Sequence, residues 1–88
     1  MKVILYSIKD NLAGFGEPFR DVSHATAKRN FSYAINNNPQ MNFSPSDYDL
    51  YHVGFFDTEK GLFIVTDSGT PELVVKGSPK PARLSLIE

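Results

Sequence analysis

The chain has 88 residues, 41% of them apolar and 22% charged, the composition of one folded domain rather than of a disordered acidic or basic tail. Its net charge of −1 argues against non-specific duplex binding, which relies on many phosphate-neutralising Lys and Arg side chains. With no cysteine, disulfides and the common zinc ligand sets are excluded; a domain this small buries roughly 60 to 65% of its unfolded surface, so further stability is expected from packing or from a second copy, and a homo-oligomer, most simply a homodimer, is expected.

The first predicted element is a strand from Lys2 to Lys9, with Val3, Leu5 and Ser7 on one side and Ile4, Tyr6 and Ile8 on the other. Its apolar run, Val3 to Tyr6, is far short of a secretory or membrane-spanning segment, so no membrane association is expected and the protein reads as cytoplasmic. Asp10 and Asn11 end the strand, and NLAGFGEPFR follows as a loop punctuated by two glycines and a proline. Phe15 and Phe19 lie in that loop, where they either plug the edge of the core or stand out for a partner.

A helix is predicted over residues 23–37, because Ala27, Phe31, Ala34 and Ile35 form an amphipathic stripe. Ser23 is the expected N-cap, with Asp21 as the alternative, and Asn36 to Asn38 before Pro39 supply the stop. Lys28, Arg29, Ser32 and Asn36 occupy the polar face, which is either solvated or available to phosphate. Pro39 to Ser46 reads as a connector. A second strand follows, Tyr48 to Phe56, with Tyr48, Leu50, His52, Gly54 and Phe56 on one side and Asp49, Tyr51, Val53 and Phe55 on the other. Both sides are largely apolar, as in a strand that is central or that presents one aromatic face.

Asp57 to Gly61 fits a type I turn closed by a left-handed glycine, leading into a strand from Leu62 to Thr66. Asp67 to Pro71 is a second turn, Glu72 to Lys76 a short last strand, and from Gly77 the tail is expected to be extended. The domain is thus 1–76 and the tail 77–88. The order β-α-β-β-β predicts an α+β fold, a small antiparallel sheet of three to four strands with one helix packed on a face.

Three segments, YSIKDNLAGFGEPF, ATAKRNF and DYDLYHVGFFDTEKGLF, together resemble the small nonstructural protein of the gokushoviruses, single-stranded DNA phages of the Microviridae. The resemblance covers most of residues 1–66 and rests on Tyr6, Ile8, Asp10, Pro18 and Phe19, on Ala27, Arg29 and Phe31, and on Tyr51, Gly54, Phe56, Asp57 and Gly61. It implies a non-capsid protein made in the cytoplasm of the infected bacterium and associated with DNA binding or replication. It carries no catalytic or ligand-binding residue with it.

The nucleic-acid candidates are Lys28 and Arg29, whose cations suit phosphate, with Tyr48, Tyr51, Phe55 and Phe56 as stacking rings. Each has a structural alternative: an ion pair of Arg29 with Glu17 or Asp21, and core positions for most of the rings. His24 and His52 have no second ligand at helical spacing, Asp47, Asp49, Asp57 and Glu59 lack the periodicity of a calcium loop, and GFGEPF lacks the helix start of a phosphate loop. Neither an enzyme, a metal nor a cofactor is expected. Two functions remain open at this stage: weak binding of single-stranded DNA, or an adaptor that contacts a viral or host replication protein through Phe15, Phe19 and the sheet surface.

Overall fold

The computed structural model describes residues 1–78, so the expected tail, apart from Gly77 and Ser78, lies outside the described residues. The elements are β1 (Lys2–Asp10), β2 (Gly14–Phe15), β3 (Phe19–Asp21), α1 (His24–Asn37), α2 (Pro39–Phe43), a 3-10 turn (Pro45–Asp47), β4 (Tyr48–Asp57), β5 (Leu62–Ile64) and β6 (Glu72–Lys76). All six strands join one antiparallel sheet. β1 and β4 pair along their whole length at its centre; β2 and β3 share the outer edge of β1, and β5 and β6 share that of β4. The α+β class and the single main helix are as the sequence pattern predicts. Two strands are added, because the Phe15/Phe19 loop folds back on β1 rather than standing away from it.

That fold-back has local causes. Gly16 donates its N–H to the Ile8 carbonyl at 2.9 Å, and the Ser7 hydroxyl donates to the Gly16 carbonyl at 2.8 Å, so the stretch between β2 and β3 is bonded to β1 too. Asp21, the last residue of β3, then leads straight into the helix. Ser23 caps α1 in a capping box: its hydroxyl accepts from the Thr26 N–H, and the Thr26 hydroxyl accepts from the Ser23 N–H. The Thr26 hydroxyl also donates to the Asp21 carboxylate at 2.6 Å. Asn38 ends α1, and its side chain accepts from the N–H groups of Gln40 and Met41, capping α2 with Pro39 in its first turn. The expected connector therefore contains a short helix, which buries Met41.

The core lies between α1 and one face of the sheet. Tyr6 and Leu50 are completely buried there with Ala27, Phe31, Ile35 and Met41, and Ile4, Ile8, Phe19, Ala34, Tyr48, Val74 and Val75 pack around them. The helical residues are the stripe that the 3.6-residue period marks out, joined by the even-numbered residues of β1.

The pairing of β1 with β4 is interrupted once. Leu5 faces Gly54 and Tyr6 faces His52, which leaves Val53 as the extra residue of a bulge. Gly54 has a φ of +150°, and a Cβ there would run into the carbonyl of Ile64 on β5, so only glycine lets β5 approach. The bulge reverses the alternation expected across Tyr48 to Phe56: Phe55 pairs with Ile4 on the helix side, and Phe56 pairs with Val3 on the other.

The β4–β5 hairpin closes as its sequence predicts. The Asp57 carboxylate accepts from the N–H groups of Glu59 and Lys60, and Gly61 takes a left-handed φ of +69°. β5 is shorter than the expected Leu62 to Thr66, because Thr66 turns its hydroxyl inward to the Thr70 carbonyl and so belongs to the next turn.

Candidate functional site

Helix α1 covers one face of the sheet, and among the described residues no helix lies on the other face. Strand alternation from the buried, helix-facing Tyr6 puts Val3, Leu5, Ser7 and Lys9 of β1 on this open face. Their partners Phe56, Gly54, Tyr51 and Asp49 lie beside them on β4. In the outer rows Phe15 is opposite Lys9, Arg20 opposite Leu5, Phe63 opposite Phe56 and Leu73 opposite Tyr51.

Two aromatic groups result. In the first, the Phe15 and Tyr51 rings meet edge to face at 5.2 Å, and the Lys9 ammonium lies 5.4 Å from one centroid and 5.9 Å from the other. In the second, Phe56 and Phe63 are 5.0 Å apart beside a shallow hollow of about 540 Å³, where Val3, Leu5 and Pro18 form the floor and Arg20 is the charged group of the lining. Four residues of β1 separate the groups, a distance of roughly 13 Å at strand rise. The carboxylate of Asp49 is buried, accepting from the Asn11 side chain at 3.1 Å and weakly from the Gly77 N–H at 3.4 Å.

The open face holds some of the residues expected from sequence and not others. Tyr51 and Phe15 are on it. Tyr48 packs against the core cluster, and Phe55 lies on the helix side with its ring 4.9 Å from His52. Phe19 is half-buried against Tyr6 at 6.1 Å, so it plugs the core while Phe15 stands out. Lys28 and Arg29 are exposed on α1, on the other side of the sheet from Tyr51. The Asp21 carboxyl is held below its usual range first by its hydrogen bonds from Thr26 and Asn30 and last by the Arg29 charge. Phe56, a stacking candidate, is on the open face too, whereas Lys9, Arg20 and Phe63 belong to it without having been candidates. Lys9 and Phe15 are readable from alternation on β1 and its returning strand, whereas the side on which Phe56 lies is reversed by the bulge.

A separate polar group lies under the helix start. The Tyr6 hydroxyl and His24 Nδ1 are 2.7 Å apart, the two imidazoles are 5.3 Å apart, and His52 contacts the Gly54 carbonyl at 3.1 Å and Glu72 at 3.6 Å. Burial, then the charge of Asp21, pushes the Tyr6 phenol up, while Glu72 is held low by its Ser68 hydrogen bond and, to a lesser extent, by His52. Every buried side-chain nitrogen and oxygen here has a partner, which marks the group as structural.

Among the described residues, fold and surface together define a small α+β sheet protein with one main helix and one aromatic face that no helix covers. No helix among the described residues is long and apolar enough to cross a membrane. The chain belongs to the Phage ORF5 protein family, whose model matches residues 3–79 and so spans every element of the fold; it is a phage protein. None of the curated proteins and none of the solved structures compared with it gives a match.

Proposed function

We propose that this phage protein is the replication-associated nonstructural protein of a gokushovirus, and that it binds single-stranded DNA weakly in the infected bacterial cell through its open sheet face, as a binding protein and not an enzyme. The observation that carries this reading is the Lys9 ammonium placed over the Phe15 and Tyr51 rings on a face that no helix among the described residues covers. A base stacked on such a ring contributes ~1 to 3 kcal/mol whatever its identity, because every base has a π-face. The ammonium beside the rings is where the adjoining phosphate would sit. Arg20 by the second aromatic pair supplies a further cation, and the spacing of roughly 13 Å suits bases separated by an intervening nucleotide. Duplex DNA keeps its bases stacked on each other and offers neither ring a partner.

Lys28 and Arg29 are outside this track. Two cations, Lys9 and Arg20, give a shallow salt dependence, a slope of about −1.4 in log K against log salt for a single strand. The test is fluorescence anisotropy of a labelled oligonucleotide, single-stranded and duplex, at low and moderate salt. Preference for the single strand, with a loss of roughly 5- to 150-fold in Tyr51→Ala, is expected from the stacking energy. Equal binding of both forms, or binding indifferent to Tyr51→Ala, contradicts the reading.

The apolar hollow beside Phe56 and Phe63 favours a second reading, an adaptor that seats a segment of a viral or host replication protein. Phe56→Ala, which removes a wall of that hollow, would then abolish capture of that partner while DNA affinity stays at background.

A further inference from the structure

Among the described residues the sheet has open edges on both sides, and they are not alike. β3 reads Phe-Arg-Asp, and β6 begins with Glu72 and ends with Lys76, so both carry the charges that keep strand edges from pairing with other chains. β2 is two residues long. β5 differs: Leu62, Phe63 and Ile64 are all apolar, Val65 follows, and neither charge nor proline occurs between Gly61 and Thr66. This edge also holds apolar side chains in water, Leu62 being 56%, Phe63 76% and Val65 68% exposed.

We propose that β5 pairs antiparallel with β5 of a second copy, about a twofold axis at Phe63. In this register Phe63 meets its own counterpart, Leu62 of each copy faces Ile64 of the other, and no two like charges are opposed between Gly61 and Val65. The segment is self-complementary, as an isologous interface requires, and its lack of charge offers nothing to recognise in a basic or acidic foreign strand. A small, cysteine-free domain also has reason to gain core this way. The axis stands perpendicular to the sheet, so both α1 helices fall on one side, and the two open faces merge into one twelve-strand surface on the other. The pairing does not depend on DNA, and its test uses none.

The mass of the whole protein in solution, read by light scattering after size exclusion, should be twice the 9.8 kDa of the chain. Phe63→Lys, which sets two ammonium groups face to face at the axis, should halve that mass with an unchanged circular dichroism spectrum. Because the chain has no native cysteine, Phe63→Cys should give a disulfide-linked dimer on mild oxidation, its Cα atoms being within bridging distance across an antiparallel pair, and Phe15→Cys should not. A monomeric wild-type protein overturns the proposal. So does a dimer that survives Phe63→Lys and in which Phe63→Cys forms no disulfide.

Discussion

The two faces of the sheet are built from similar residues used in opposite ways. On the helix side Tyr6, Phe31 and Leu50 are at most 3% exposed, and the polar atoms among them are all partnered. On the open side Phe15 is 47% and Phe63 76% exposed, held by one neighbouring ring each, with Lys9 over Phe15 and Arg20 in the hollow that Phe63 lines. The aromatic density of β4 therefore serves two purposes at once, and the bulge at Val53 decides which ring serves which. Without it, Phe56 would point under the helix and Phe55 outward.

The sharpest contrast is in stability. Phe31→Ala removes a ring from a sealed core and should cost about 3 to 5 kcal/mol, enough to unfold much of so small a domain, whereas Phe15→Ala should cost about 1 kcal/mol or less. Denaturant titrations of the two variants measure the difference. Equal costs would mean that the open face is as much core as the covered one.

Gly54→Ala attacks the device that separates the faces. A methyl group there meets the Ile64 carbonyl at a positive φ, so a loss of roughly 1 to 3 kcal/mol is expected, with the damage confined to β5 and the adjoining part of β4. Amide exchange should quicken at Phe55 and Ile64 while α1 stays protected.

Acid should act at the edges before the core. Asp21, Asp57 and Glu72 all have carboxyls held below the usual range, by hydrogen bonds from Thr26 and Asn30, from the Lys60 and Glu59 amides, and from Ser68 respectively. A carboxyl lower in the folded state than in the unfolded one adds stability that is complete above its ordinary pKa of about 4 and is lost as pH falls through the folded value. Stability should be flat from neutral pH down to that range and then decline. Asp57→Asn should make the decline shallower in a pH series of thermal melts.

Much of the fold was legible from periodicity. The alternation of β1, the α1 stripe with its Ser23 cap, the Asp57 to Gly61 turn and the limits of β6 all depend on neighbours in sequence, and the structure has them at those residues. What escaped depends on neighbours in space. β2 and β3 exist because a glycine- and proline-marked loop finds the free edge of β1, and the bulge exists because Gly54 meets a carbonyl on another strand. The candidate site divides in the same way. Tyr51, Phe56 and Phe15 could be singled out as aromatics; Lys9, Arg20 and Phe63 acquire meaning only once register sets them on one face, and the same register takes Tyr48 and Phe55 off it.

The most direct test reverses one charge on each side of the sheet. Lys9→Glu puts a carboxylate between Phe15 and Tyr51, and Arg29→Glu makes the same change on the outer surface of α1; both side chains are solvent-accessible, so both variants should fold. Single-stranded DNA affinity at low salt should fall at least tenfold in Lys9→Glu, an effect of about 1.4 kcal/mol, and by much less in Arg29→Glu. The opposite order of effects would move the interface to the helix side and contradict the assignment of function to the open face.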